Sequence, residues 1–141
     1  MEDCTFCDII NGALPCSSIY KDDTCMAFMD IQPINPGHVL VIPVAHASSL
    51  SELSEQDGAH MFNVAQKVAA AIRESKIPCE GVNLYLADGA AAGQEIFHVH
   101  LHVVPRFRGD GFKIHFGPFY GLRPGRGELD AVAEKIKDNF K

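Results

Sequence analysis

Hydrophobic and polar positions along this chain follow two periods, one of two residues and one near 3.6. Residues 18–22 (SIYKD) and 25–31 (CMAFMDI) are short strand candidates, and Asp22-Asp23 between them suits the tight turn of a hairpin. Pro33, Pro36 and Gly37 then break the chain. Residues 38–43 (HVLVIP) form a nearly continuous apolar run rich in β-branched side chains, as in a buried strand. Met61, Val64, Ala65, Val68 and Ile72 recur at helical spacing and predict a helix over 54–76, with Ser54 as N-cap and Asp57 in the first turn. Residues 81–88 (GVNLYLAD) predict another strand, 89–94 (GAAAGQ) a glycine-bounded loop, and 98–105 (HVHLHVVP) a strand that alternates strictly. The opening CTFCDIINGALP predicts a short helical turn stopped by Gly12 and Pro15. Residues 105–127, rich in Gly, Pro and Arg, predict a loop, and Leu129, Val132, Ile136 and Phe140 a terminal amphipathic helix. The sum is an α+β fold with an antiparallel sheet of about five strands, one main helix and a C-terminal helix.

The length of 141 residues suits one domain over 1–141. No apolar run approaches the roughly 20 residues needed to span a bilayer. The first ten residues, MEDCTFCDII, lack the basic region of a secretory signal, so the expected location is cytoplasmic, away from any membrane. A net charge of −6 argues against nucleic acid as a partner, because binding a phosphate backbone needs a basic excess. A small nucleotide, held by a few local donors, remains compatible with it. Five cysteines in a chain without an export signal favour free thiols or metal ligands over disulfides.

The chemistry concentrates in residues 98–105. On a strand, Val99, Leu101 and Val103 share one face, and His98, His100 and His102 share the other at roughly 6.5–7 Å spacing. Three groups that titrate near neutrality on one rigid element form a reaction surface or a metal surface more readily than a core. A neutral imidazole can attack phosphorus or carbonyl carbon, and a neighbour can donate a proton or draw charge from an oxygen. The middle position has a helper on each side, which makes His100 the candidate nucleophile. Two competing readings stand beside it: zinc shared by His98 and His102 with an open position for water, and a set of satisfied polar residues on an exposed face.

The run His98-Val-His100-Leu-His102-Val-Val resembles the motif of the histidine-triad (HIT) superfamily of nucleotide hydrolases and transferases. The similarity extends to the Cys-x-x-Cys opening, FMDIQP (28–33), NPGHVLVIP (35–43), AGQ (92–94) and VVPRFRGDG (103–111). The resemblance implies a HIT-like fold and attack by His100 on the α-phosphorus of a dinucleoside polyphosphate or nucleoside phosphoramidate. A nucleotidyl-histidine would follow, and water would release a nucleoside monophosphate such as AMP. It assigns His102 and His38 to phosphate oxygens, Asp30 to the ribose hydroxyls and Gln94 to a phosphate oxygen near the leaving group. It requires no catalytic cofactor and implies a homodimer. A nucleotide-binding interaction module with little turnover is the alternative outcome.

This chain departs from the family pattern in three places: Ala87 where an Asn is common, Glu95 where several relatives carry Ser or Thr, and no Trp anywhere. These bear on the leaving group rather than the nucleophile. Cys4 and Cys7 have zinc-ligand spacing, with free thiols or a redox pair as competing readings. The resemblance completes the set as Cys4, Cys7, His46 and His98 around a structural zinc. Three further features are weaker. His60 and His115 read as ordinary polar residues. The GAAAG loop could offer backbone donors to a phosphate. Arg106, Arg108, Arg123 and Arg126 could serve solubility or reach distal phosphates.

Overall fold

The computed structural model describes residues 3–141. Its elements run α1 (Thr5–Ile10), β1 (Ser18–Lys21), β2 (Cys25–Met29), β3 (Val39–Pro43), α2 (Glu55–Glu74), β4 (Gly81–Tyr85), β5 (Leu101–Arg106) and α3 (Arg126–Lys137). The five strands form one sheet in the order β1-β2-β3-β5-β4, with every neighbouring pair antiparallel. The α+β expectation and the strand count both hold.

Alternation decides which side chain goes to which face. On one face Ala27, Val39, Val41 and Val103 pack under α2 against Met61, Val64, Val68 and Ile72. On the other, Met26, Phe28, Leu40 and Ile42 pack with Cys4 and Phe6 of the N-terminal segment. The central strand β3 is therefore buried on both sides, which is why its sequence is apolar throughout. Ser54 caps α2 through its hydroxyl, which accepts from the Asp57 amide at 3.1 Å. Asp22 shapes the β1–β2 turn, its carboxylate accepting from the amides of Thr24 and Cys25 at 2.8 and 2.7 Å.

Two expectations change. The ladder of β5 starts at Leu101, so His98, Val99 and His100 lie before it, and Val99 donates instead to the Ala47 carbonyl at 2.8 Å. The two-fold alternation survives: Val99, Leu101 and Val103 still meet the α2 core. Strand β4 ends at Tyr85 rather than Asp88. The terminal helix forms as expected, and its apolar stripe packs on no core: Leu129, Val132, Ile136 and Phe140 are all exposed, Phe140 to 85%. Among the described residues no helix is long and apolar enough to cross a membrane.

Candidate active site and metal centre

The face of the sheet opposite α2 is only partly covered by α1. It leaves a cleft of about 820 Å³ whose walls include Phe6, Met29, Asp30, Tyr85, His100 and His102. The sheet order puts the histidine-bearing β5 between β3 and β4. Asp30, just after β2, therefore stands on one side of the histidines. The loop carrying Ala87, Gly93 and Glu95 stands on the other.

Backbone partners fix the tautomers of His98, His100 and His38, and His38 in turn fixes that of His102. His100 Nδ1 lies 2.8 Å from the His98 carbonyl oxygen, which can only accept, so Nδ1 carries the proton. Its Nε2 then holds a lone pair. No buried side-chain nitrogen or oxygen among the described residues lacks a partner, so this free Nε2 is the atom open to the cleft. The edge of the Phe6 ring, 5.1 Å away between centroids, holds the imidazole from the side.

His102 is set by a relay. The Ile34 amide donates to His38 Nδ1 at 3.0 Å, which leaves the proton of His38 on Nε2. That nitrogen donates to His102 Nδ1 at 2.9 Å, so the His102 proton is on Nε2. Tyr85 stacks on the His102 ring at 4.1 Å. Burial, then the neighbouring His100 and His38, push the His102 pKa down to about 4, so at neutral pH it is an uncharged donor. Burial also lowers the pKa of His38, against the pull of Asp30.

Two expected roles change with this geometry. His38 is 1% exposed with both nitrogens engaged, and it meets the cleft only through His102 rather than lining it. Gln94 donates to the Ser48 and Ile96 carbonyls at 2.9 and 3.1 Å and accepts from the Gly89 amide at 2.8 Å. Its amide is spent closing the loop, and no donor is left for a phosphate. Asp30 lines the cleft, with Oδ1 taking the Gln32 amide at 2.8 Å and Oδ2 lying 3.5 Å from His38 Nε2.

His98 faces away from this chemistry. It is fully buried, and its Nε2 donates to the Pro43 carbonyl at 2.8 Å, so Nδ1 holds the lone pair. That nitrogen points at Cys4 Sγ, 3.3 Å away, and Cys7 Sγ, 3.6 Å away, and His46 Nδ1 is 3.4 Å from Cys7 Sγ. The four ligand atoms lie within 4.8 Å of one another. Tetrahedral zinc with ordinary Zn–S and Zn–N bonds needs S···N edges of about 3.5 Å, so the donor set fits. Without a cation, burial and the adjacent Cys4 push the Cys7 thiol up to about 11. The reading in which His98 and His102 share one metal fails, because their lone pairs face different sites. Asp30, His38 and His102 also converge within 4.8 Å. That trio suits a metal poorly: the Ile34 amide holds the proton on the His38 nitrogen that would have to ligate.

The remaining weaker features are also placed. Arg106 clamps Asp110 through Nε at 2.6 Å and Nη2 at 2.9 Å, and donates to Asn83 at 2.6 Å, so it braces the turn rather than reaching substrate. His60 pairs with Asp22 at 2.6 Å, away from the cleft, and His115 is exposed. Nothing in the sequence pattern singles out Tyr85. Its position two residues before Ala87 on a strand was visible, but its stacking on His102 follows from the β4–β5 register, which pairs the two residues.

A family model for the HIT domain matches residues 11–109. The chain belongs to the HIT family. A HIT-like protein of Borreliella burgdorferi is 41% identical over 139 residues, covering 98% of this chain and 94% of that one. An adenosine 5'-monophosphoramidase of Schizosaccharomyces pombe is 34% identical over 139 residues, covering 98% of both chains. Among solved structures, a HIT family protein of Bacillus anthracis superposes with a TM-score of 0.91 at 35% identity, covering 99% of each chain. A zinc-bound histidine triad protein of Mycobacterium smegmatis superposes at 0.76 with 37% identity, covering 98% of each. The HIT fold thus accounts for the whole sheet and for the triad that ends in β5.

Proposed function

We propose that this HIT protein is a nucleotide hydrolase or transferase that cleaves at the α-phosphate through a nucleotidyl-His100 intermediate. The observation that carries the proposal is the His100 tautomer: Nδ1–H is held by the His98 carbonyl and the Nε2 lone pair is open to the cleft. Nε2 forms the bond to phosphorus, and the bond to the leaving group breaks with its electron pair on the leaving atom. Water then attacks phosphorus and returns Nε2 to its starting state. His102 donates its Nε2–H to a phosphoryl oxygen as negative charge grows there. Asp30 accepts from the ribose hydroxyls, and the apolar wall around Phe28, Met29 and Ile31 takes the base. The S. pombe relative, named for acting on an adenosine phosphoramidate, supports a nucleotide substrate.

Zinc is proposed as a structural ion held by Cys4, Cys7, His46 and His98. When bound it ties α1 to the segment before β5, and no step of the reaction uses it. The zinc-bound M. smegmatis neighbour supports this reading. A second copy of the chain is proposed to cover the apolar face of α3, whose 12 residues are too few to hold a helix in water unsupported. Sedimentation of the purified protein tests that assignment, and a monomer at micromolar concentration overturns it. The catalytic reading is tested with a panel of adenosine phosphoramidates and diadenosine polyphosphates on wild type and His100→Ala. Turnover in wild type that disappears in the variant is expected, and equal turnover in both sinks the nucleophile.

A further inference from the structure

Among the Phe and Tyr side chains that line the cleft, Phe6 braces His100 and Phe28 belongs to the apolar wall, which leaves Tyr85 without a task. Tyr85 ends β4, and the register sets it directly opposite His102 on β5. Opposite residues of an antiparallel pair send their side chains to the same face, so the two rings meet. Their centroids are 4.1 Å apart and their planes differ by 9°. The other rings beside His102 do not lie flat on it: His38 is tilted by 49° and His100 by 58°. Tyr85 alone covers a face of the imidazole in parallel.

That contact supplies what the hydrogen bond from His38 does not. A bond at Nδ1 holds one point of the ring, and the torsion that turns an imidazole about its stem is intrinsically broad. A parallel plate removes that freedom, because any turn out of plane drives a ring edge into the tyrosine. Charge does not hold the stack. His102 is neutral at neutral pH, and burial, then Asp30, push the Tyr85 phenol up, so it is neutral too. Dispersion and the exclusion of water remain as the forces between the rings, and neither uses the hydroxyl. We infer that Tyr85 is a positioning residue of the triad, whose ring fixes the imidazole plane of His102 and keeps water off its face. The Nε2–H that meets the phosphoryl oxygen thereby keeps one direction as charge grows there. The inference rests on the α-phosphate reading above for the task of that N–H, and on the stack alone for its orientation.

The test is a double-mutant cycle read on an adenosine phosphoramidate. Tyr85→Ala is expected to lower kcat about tenfold with KM within about twofold, since the N–H works as charge develops. Tyr85→Phe keeps the plate and is expected to stay within about twofold of wild type in both constants. In a His102→Ala background, Tyr85→Ala is expected to cost less than about twofold more, because a residue that acts through His102 then has nothing to act on. A further full loss in that background, or an unchanged kcat in Tyr85→Ala, overturns the inference. So does a Tyr85→Phe as poor as Tyr85→Ala, which puts the role in the hydroxyl. The second readout needs no turnover: the His102 imidazole is titrated by NMR. In wild type and Tyr85→Phe its midpoint is expected near pH 4. In Tyr85→Ala water reaches the ring face, and the midpoint is expected to rise by about one unit or more. The other titratable groups facing His102 are His100, His38 and Asp30, all unchanged in these variants. An unmoved midpoint in Tyr85→Ala overturns the inference even where kcat falls. If wild type turns nothing over but the midpoint moves as expected, the hydrolase reading falls and the positioning of His102 stands.

Discussion

His98 and His100 are two residues apart, of one type, and on the same side of the chain, yet they are set up for opposite tasks. His98 gives its Nε2 proton to the Pro43 carbonyl and turns a free Nδ1 towards two thiols. His100 gives its Nδ1 proton to the His98 carbonyl and turns a free Nε2 to the cleft. One main-chain acceptor per ring decides which nitrogen holds the lone pair, and so whether the residue suits a metal or a phosphorus atom. The break of the β ladder before Leu101 makes this possible, because the His98 carbonyl is not spent on a neighbouring strand.

The sharpest way to break the comparison is to remove one member at a time. His100→Ala is expected to lower kcat by roughly a thousandfold or more, as loss of a positioned nucleophile does. Its melting temperature is expected to stay within a few degrees of wild type, since the cluster of Cys4, Cys7, His46 and His98 does not include it. Cys4→Ala is expected to do the reverse. Metal analysis should find the zinc lost, and the melting temperature should fall by about 10 °C, the shift that a loss of roughly 3 kcal/mol gives a domain of this size. Its kcat/KM at 20 °C should stay within about tenfold of wild type. A chelated or Cys4→Ala protein that keeps its melting temperature would remove the structural zinc from the comparison.

How far the sequence carried this division can be read from the same two residues. Strict alternation over 98–105 and the Cys-x-x-Cys spacing were enough to place His98, His100 and His102 on one side and to mark Cys4 and Cys7 as candidate metal ligands. Period two reports only which face a side chain takes, and that held even where the ladder did not form. What stayed hidden were the partners set by non-local folding. The Pro43 carbonyl is 55 positions from His98, and the relay from Ile34 through His38 crosses from a turn to a strand. Gln94 and Arg106 teach a related point: a polar side chain in a suggestive motif can be consumed by its own loop. The apolar stripe of α3 was legible, but a monomer's sequence does not say whether its own core or a second copy covers it.

His102 gives an intermediate test between the two extremes. In the proposed reaction it neither forms the bond to phosphorus nor ligates metal, and its contribution is the Nε2–H left by the His38 contact. His102→Gln keeps an N–H donor near that position and is expected to lose roughly tenfold in kcat. His102→Ala loses the donor and is expected to cost about a hundredfold or more, with KM changing less than kcat in both. Equal losses in the two variants would show that the ring serves packing against Tyr85 rather than hydrogen bonding.

The smallest expected effect is a dependence of stability on acid that the same residue brings. An unfolded chain holds His102 at an ordinary histidine pKa, about 6.5. The fold holds it at about 4, chiefly because burial disfavours the imidazolium. Between those values the unfolded state binds more protons than the folded state, so stability must fall as pH drops below about 6.5, and the loss is complete near pH 4. With a discount for partial exposure, the contribution is roughly 2 kcal/mol across that window. The proposed zinc ligands would also protonate in acid, so the raw profile mixes both sites. The difference between wild type and His102→Gln in urea midpoints from pH 7 to pH 4.5 isolates the imidazole, because the cluster is common to both. Wild type should lose more stability than the variant. Parallel curves would mean that His102 is charged in the folded protein, and the relay from Ile34 through His38 would then not fix its tautomer.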